Sequence, residues 1–124
     1  MITPKHVLFI YSASPTAHLR FFEGLRMALG FSVSHRPVTL LLLGEGVRVL
    51  LPLNPRLLGL PGEIAEVIPL LRELGVRVCA ESEALDAFFL DRPFPDYVVP
   101  VSAAEVPGLL SEAEIVLPFL RRPE

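Results

Sequence analysis

The stretch at residues 75–82, Gly-Val-Arg-Val-Cys-Ala-Glu-Ser, indicates which class of fold the chain adopts. Gly75 follows a segment with helical periodicity and predicts the end of a helix. The short apolar run at residues 76–80 then predicts a buried strand, and a second helix is expected to begin near Ser82. Helices that alternate with buried strands are typical of α/β proteins, in which both faces of a parallel sheet are covered.

The same alternation of short apolar runs and longer amphipathic stretches extends along the chain. We expect five strands, at residues 6–11, 38–43, 76–80, 97–101 and 114–118. Helical patterns occupy residues 21–29, 63–74, 82–90 and 102–110. Pro69 should kink or split the second helix, and Pro107-Gly108 should break the last one. We therefore predict one domain over residues 1–124, a three-layer α/β/α sandwich with a five-stranded, mainly parallel sheet.

The composition and charge of the chain argue against two classes of function, a membrane-spanning protein and a nucleic-acid-binding protein. Hydrophobic residues make up 52% of the 124 residues, and no apolar run approaches the roughly 20 residues of a membrane helix. A net charge of -3, with only Arg121-Arg122 as a basic pair, argues against direct binding of nucleic acid. A single cysteine cannot form an internal disulfide, so we expect a cytoplasmic protein without a membrane segment.

Three segments should lie at the carboxyl ends of strands, where ligands bind in open α/β sheets: residues 12–18, 44–46 and 79–82. The first contains no glycine, so its backbone is poorly suited to cradle a phosphate, and Ser14 or Thr16 is better explained as a helix cap. Residues 44–46 are expected to form a turn. The three histidines share no metal-ligand spacing with the cysteine. We expect no flavin, nucleotide or metal cofactor.

Cys79 is the candidate catalytic residue, because it should lie at the mouth of the sheet just before a helix. A helix N-terminus favours a thiolate, which could act as a nucleophile or carry sulfur. The alternative is that Cys79 packs in the core as a small hydrophobic residue. Glu81 and Glu83 follow closely and should oppose thiolate formation, which would nearly cancel the effect of the helix.

Four segments, taken in order, resemble the DsrE/DsrF/DsrH-like sulfur-relay family, and most closely its DsrF/TusC branch. They are FIYSASPTAHLRFFEGLRMAL at residues 9–29, VTLLLLGEGVRVLLPLNP at 38–55, GVRVCAES at 75–82 and EIVLPF at 114–119. The third is similar to the strand that carries the sulfur-accepting cysteine in the DsrE/TusD branch, and Cys79 occupies the corresponding position.

This resemblance implies persulfide transfer for tRNA thiolation or sulfur oxidation. It also implies partners: sister DsrE/TusD-like and DsrH/TusB-like subunits, a small sulfur-carrier protein, and assembly into a homo- or hetero-oligomer. Two roles remain open within that class: a sulfurtransferase subunit with Cys79 as persulfide carrier, and a non-catalytic scaffold. The resemblance to the DsrF/TusC branch slightly favours the scaffold. The alternative class is a flavodoxin-like small-molecule-binding domain or a purely structural oligomerisation domain. We expect residues 47–60, which are rich in Leu and Val, to form the interface.

Overall fold

The computed structural model describes residues 6–12, 26–28, 30, 37–51, 64–91 and 93–119. The strands are β1 Val7–Tyr11, β2 Val38–Leu42, β3 Arg77–Glu81, β4 Val98–Val101 and β5 Ile115–Phe119. The helices are α1 Ile64–Glu73, α2 Ser82–Phe88 and α3 Val106–Glu112, with 3₁₀ helices at Gly44–Leu50 and Ala103–Glu105. Residues 26–28 and 30 are also helical, and the rest of the helix predicted at residues 21–29 lies outside the described residues.

The five strands form one sheet in the order β4-β3-β2-β1-β5, and every neighbouring pair is parallel. All five residues of β1 and of β2 are buried, as their unbroken apolar sequences predict. β4 has exposed residues between its buried ends because it lies at an edge of the sheet. The predicted α/β class and the parallel sheet are therefore confirmed.

The two faces of the sheet carry separate apolar clusters. The first cluster lies on the face of Phe9 and Leu40 and includes Leu71 of α1 and Leu85 of α2. The second cluster is centred on Leu8, Ile10, Leu41 and Cys79, with Val101, Val106 and Leu109 around them. Successive crossovers from β1 to β4 move in one direction and the crossover to β5 returns. Because parallel crossovers are right-handed, α1 and α2 cover one face and α3 the other.

The end of α1 confirms the role predicted for Gly75. Its φ is 89°, a conformation that glycine adopts without strain. The Gly75 N–H donates to the carbonyl of Arg72 at 3.0 Å, and the Val76 N–H donates to the carbonyl of Leu71 at 3.0 Å. These two bonds form a Schellman motif, which ends the helix and directs the chain into β3.

The structure bears on two predictions about prolines. α1 continues through Pro69 as one helix, so of the two predicted alternatives, a kink or a split, the split does not occur, and Pro69 is exposed. Pro107-Gly108 does not break the last helix either, because Pro107 occupies the first turn of α3. An N–H in the first turn has no partner within a helix, so its absence from proline costs little there.

The segment predicted as an interface is partly core. Val47 and Val49 are buried in the first cluster, and Leu50 packs against it. Residues 52–60, which include Leu57, lie outside the described residues. Within the described residues this segment therefore contributes mainly to the core, and the interface at residues 47–60 stays a prediction.

Candidate functional site at the carboxyl edge of the sheet

The carboxyl ends of β1, β2 and β3 meet at an open cleft of about 550 Å³. The cleft lies between the 3₁₀ helix that follows β2 and helix α2, which follows β3. Its lining is Ser12, Gly44, Glu45, Glu81, Glu83, Ala84, Ala87 and Phe88. The three segments predicted at the carboxyl ends of strands thus contribute to one site, as expected from parallel topology.

Close backbone contact places the 3₁₀ helix against the end of β1. The Leu43 N–H donates to the carbonyl oxygen of Tyr11 at 2.8 Å, and the Gly46 N–H donates to the carbonyl of Leu43 at 2.9 Å. A β-carbon on Gly46 would collide with the carbonyl oxygen of Tyr11. Glycine is therefore required at this approach, whereas Gly44 is suited to the left-handed φ of 48° at the start of the helix.

The cleft has an acidic rim and an apolar wall. Arg48 donates to the carboxylate of Glu45 at 3.1 Å and lies over the Phe88 ring, 5.9 Å from its centroid. Within the described residues, Glu81 and Glu83 form no salt bridge. Three of the described lining residues are glutamates, so the described part of the cleft disfavours a phosphate. Of the first predicted loop only Ser12 is described.

Cys79 does not line this cleft. It lies in the middle of β3, paired with Leu41 on one side and Val99 on the other, and the residue is 0% exposed. Residues 79–82, predicted to follow the end of this strand, form no separate loop, because β3 continues to Glu81 and α2 begins directly at Ser82. The expectation that Cys79 lies at the mouth of the sheet is therefore wrong, and its side chain belongs to the second cluster.

The electrostatic neighbours of the thiol also differ from those expected. Burial raises the pKa of the Cys79 thiol, and it outweighs Arg77, whose charge and hydrogen bond to the thiol lower this pKa. The Glu105 carboxylate raises it further. Arg77 shares the face of Cys79 because side chains two residues apart on a strand point the same way. Glu81 and Glu83, the groups expected to oppose the thiolate, lie at the cleft instead.

Glu105 is held by a capping box that sequence reasoning missed. Both the backbone N–H and the hydroxyl of Ser102 donate to Glu105 Oε1, at 3.1 and 3.0 Å. The spacing Ser-x-x-Glu at residues 102–105 was the available signal. The spacing could not show that this carboxylate raises the pKa of Cys79 in β3.

Histidines and carboxylates do not assemble into a metal site in the described part of the chain, where no group of three or more potential ligands is found. His6 instead lies beside β2, with its Nε2 at 2.8 Å from the hydroxyl of Thr39. His18 and His35 are outside the described residues. In the same part of the chain, no helix is long and apolar enough to cross a membrane.

Comparisons with known proteins agree with this architecture. The model of the DsrE/DsrF-like family matches residues 5–119. The crystal structure of the ychN protein from E. coli is similar, with a TM-score of 0.78 and 20% sequence identity over 92% of this chain and 98% of that chain. At that identity the likeness concerns the fold. No curated protein matches the sequence. Because the family model spans all five strands of the sheet and most of the chain, the chain belongs to the DsrE/DsrF-like family.

Proposed function

We propose that this protein is a scaffold subunit of a cytoplasmic sulfur-relay assembly, and that sister DsrE/TusD-like and DsrH/TusB-like subunits complete the assembly. In this proposal a sister subunit supplies the sulfur-accepting cysteine and passes sulfur to a small carrier protein. Membership of the DsrE/DsrF-like family supports the relay. The observation that favours the scaffold role is the position of Cys79, fully buried in the middle of β3.

Persulfide transfer makes two demands on an accepting cysteine. Its thiolate must attack the terminal sulfur of the donor persulfide, forming a new S–S bond while the donor cysteine leaves as a thiolate. The attacking sulfur must therefore reach the donor and must ionise. Cys79 is 0% exposed, and burial raises the pKa of its thiol, so both demands are opposed in the native fold.

Alkylation tests the accessibility of the thiol. We expect iodoacetamide to modify Cys79 slowly in the native protein and rapidly in urea, with the product measured by intact mass. The matched control is Cys79→Ala combined with Ala103→Cys, which places the single thiol at an exposed position of the neighbouring 3₁₀ helix. Equal rates for native Cys79 and the control would contradict the burial argument.

Sulfur transfer by the native complex tests whether the protein is a scaffold or a sulfur carrier. The wild-type protein and Cys79→Ala are each purified with the subunits that bind them, then supplied with a cysteine desulfurase, cysteine and the small carrier protein. A scaffold predicts equal sulfur delivery by the two complexes. Loss of delivery with Cys79→Ala, while the complex still assembles, would show that Cys79 is a carrier.

The carrier role is the second candidate, and Arg77 is the observation that favours it. The guanidinium charge and its hydrogen bond lower the pKa of the Cys79 thiol, as an activated cysteine requires. For sulfur to reach Cys79, α3 would have to move away from the second cluster, in which Leu109 packs with Cys79. A removable addition of one sulfur to Cys79, seen by mass only when sister subunits are present, would support this alternative.

The final sulfur acceptor in this proposal is either a tRNA or a dissimilatory oxidation system. Deletion of the gene distinguishes them. Loss of thiolated nucleosides from bulk tRNA would indicate the biosynthetic role, whereas intact nucleosides with impaired growth on reduced sulfur would indicate the oxidative role.

A further inference from the structure

We propose that residues 102–113, which comprise the 3₁₀ helix Ala103–Glu105 and α3, form a lid that opens as a unit and exposes Cys79 while the five-stranded sheet stays folded. The proposal concerns access to the thiol and holds whether the protein is a scaffold or a sulfur carrier. It follows from what anchors the lid, what fixes its two ends, and how weakly its own sequence favours a helix.

Few apolar contacts anchor the lid over Cys79. Leu109 is the only buried residue of the lid, and Val106 and Ala113 are partly buried against the same cluster as Cys79. Every other residue of the lid is exposed. Because the stabilisation gained by packing is roughly proportional to the apolar area buried, opening the lid should cost much less than unfolding the sheet.

The polar contacts of the lid are internal to it. Ser102 and Glu105 bond to each other in the capping box, and the Ser111 hydroxyl donates to the carbonyl oxygen of Gly108 at 2.9 Å. Within the part of the chain that the structure describes, no hydrogen bond or salt bridge joins a side chain of the lid to another element. These contacts therefore move with the lid and do not hold it closed.

Both ends of the lid are fixed to the sheet. Before the lid, Val101 pairs with Glu81 at the end of β4. After the lid, the N–H groups of Glu114 and Ile115 both donate to the carbonyl oxygen of His6, at 3.0 and 3.2 Å. Residues 102–113 can therefore leave the second cluster while β4 and β5 keep their places in the sheet.

The sequence of α3 gives the helix little stability of its own. α3 has seven residues, and isolated helices shorter than about 12 to 15 residues are marginal in water. No side chain caps its N-terminus, and Gly108 lowers its stability relative to alanine. The helix therefore depends on the packing of Leu109, and it loses that support when the lid opens.

The urea dependence of Cys79 alkylation separates lid opening from global unfolding. Iodoacetamide is added to the native protein at urea concentrations below the unfolding transition, and the product is measured by intact mass. Lid opening exposes little surface, so the alkylation rate should be almost independent of urea at the low end of this range. A rate that follows the global free energy of unfolding from zero urea upward would overturn the proposal.

Two matched glycine substitutions provide a second test without removing any contact. Gly108→Ala stabilises a helix of the lid, whereas Gly30→Ala changes a helical residue outside it. Without urea, Gly108→Ala should slow alkylation of Cys79 about fivefold, and Gly30→Ala should leave the rate unchanged. Equal slowing by the two variants would assign the exposure of Cys79 to global unfolding. An unchanged rate in Gly108→Ala would show that α3 is not the lid. Either result overturns the proposal.

Matched leucine substitutions test the anchor, each in protein that circular dichroism shows to be folded. Leu109→Ala removes the buried side chain of the lid, and Leu85→Ala removes an equally large one from the first cluster. Leu109→Ala should accelerate alkylation of Cys79 about tenfold or more, and Leu85→Ala less than about threefold. If Leu85→Ala accelerates alkylation as much as Leu109→Ala does, the lid does not open independently of the sheet, and the proposal is wrong.

Discussion

Gly46 lies so close to the carbonyl oxygen of Tyr11 that no β-carbon fits between them. The same carbonyl accepts a hydrogen bond from Leu43, so the start of the 3₁₀ helix is held against the end of β1. Since Ser12, Gly44 and Glu45 all line the cleft, this one contact helps to set the shape of the candidate site.

Gly46→Ala should destabilise the protein by about 1 to 3 kcal/mol, because the added methyl group forces backbone apart at a packed position. Urea denaturation followed by circular dichroism measures the change. Gly108→Ala is the matched control, since among the described residues no atom apart from its chain neighbours and the backbone of its own helix lies within 4 Å of a β-carbon there, and alanine favours helix α3. A Gly46→Ala protein as stable as wild type would contradict the close approach.

The bond between His6 and Thr39 should contribute about 0.5 to 1.5 kcal/mol to the free energy of unfolding. Thr39 is 2% exposed, and its hydroxyl lies 2.8 Å from His6 Nε2. Thr39→Val keeps the shape but leaves the imidazole nitrogen without this partner. A double-mutant cycle with His6→Ala isolates the pair, and a coupling energy near zero would show that the bond adds nothing.

The pKa of the Cys79 thiol should respond to two specific charges. Arg77→Gln should raise this pKa, because the guanidinium lowers it, and Glu105→Gln should lower it, because the carboxylate raises it. The ultraviolet absorbance of the thiolate, measured against pH, gives both shifts. Glu81→Gln with Glu83→Gln serves as the control and should have little effect. A larger shift in that control than in Glu105→Gln would restore the expectation drawn from sequence.

Alkaline pH should reduce stability through Cys79. Because burial raises its pKa in the folded state, the fold retains the thiol proton more tightly than the unfolded chain does. The protonated thiol's contribution to the free energy of unfolding is complete below the pKa of the unfolded state, about 8.5. It is lost as the pH rises towards the pKa of the folded state. We expect wild-type stability to fall relative to Cys79→Ala by up to about 1.4 kcal/mol per pH unit above pH 8.5. If the free energy of unfolding changes with pH in the same way in the two proteins, the prediction is wrong.

Several features of the fold could be predicted from the sequence because they depend on neighbouring residues. The unbroken apolar runs of β1 and β2 require burial on both faces, and only a covered parallel sheet provides it. Gly75 ends α1 through its own φ and two local hydrogen bonds. The prolines were less predictable, since the cost of Pro107 depends on whether it falls in the first turn or the interior of a helix.

The sequence by itself therefore determined the α/β class, the five strands and the edge at which their carboxyl ends meet. Only the tertiary structure decided what lies at that edge and what does not. Cys79 is two residues from the end of β3, yet it packs beneath α3 with Leu109, while Glu81 reaches the cleft. Strand length, strand order and the face covered by α3 all depend on contacts between distant segments. No local pattern around Cys79 contains that information.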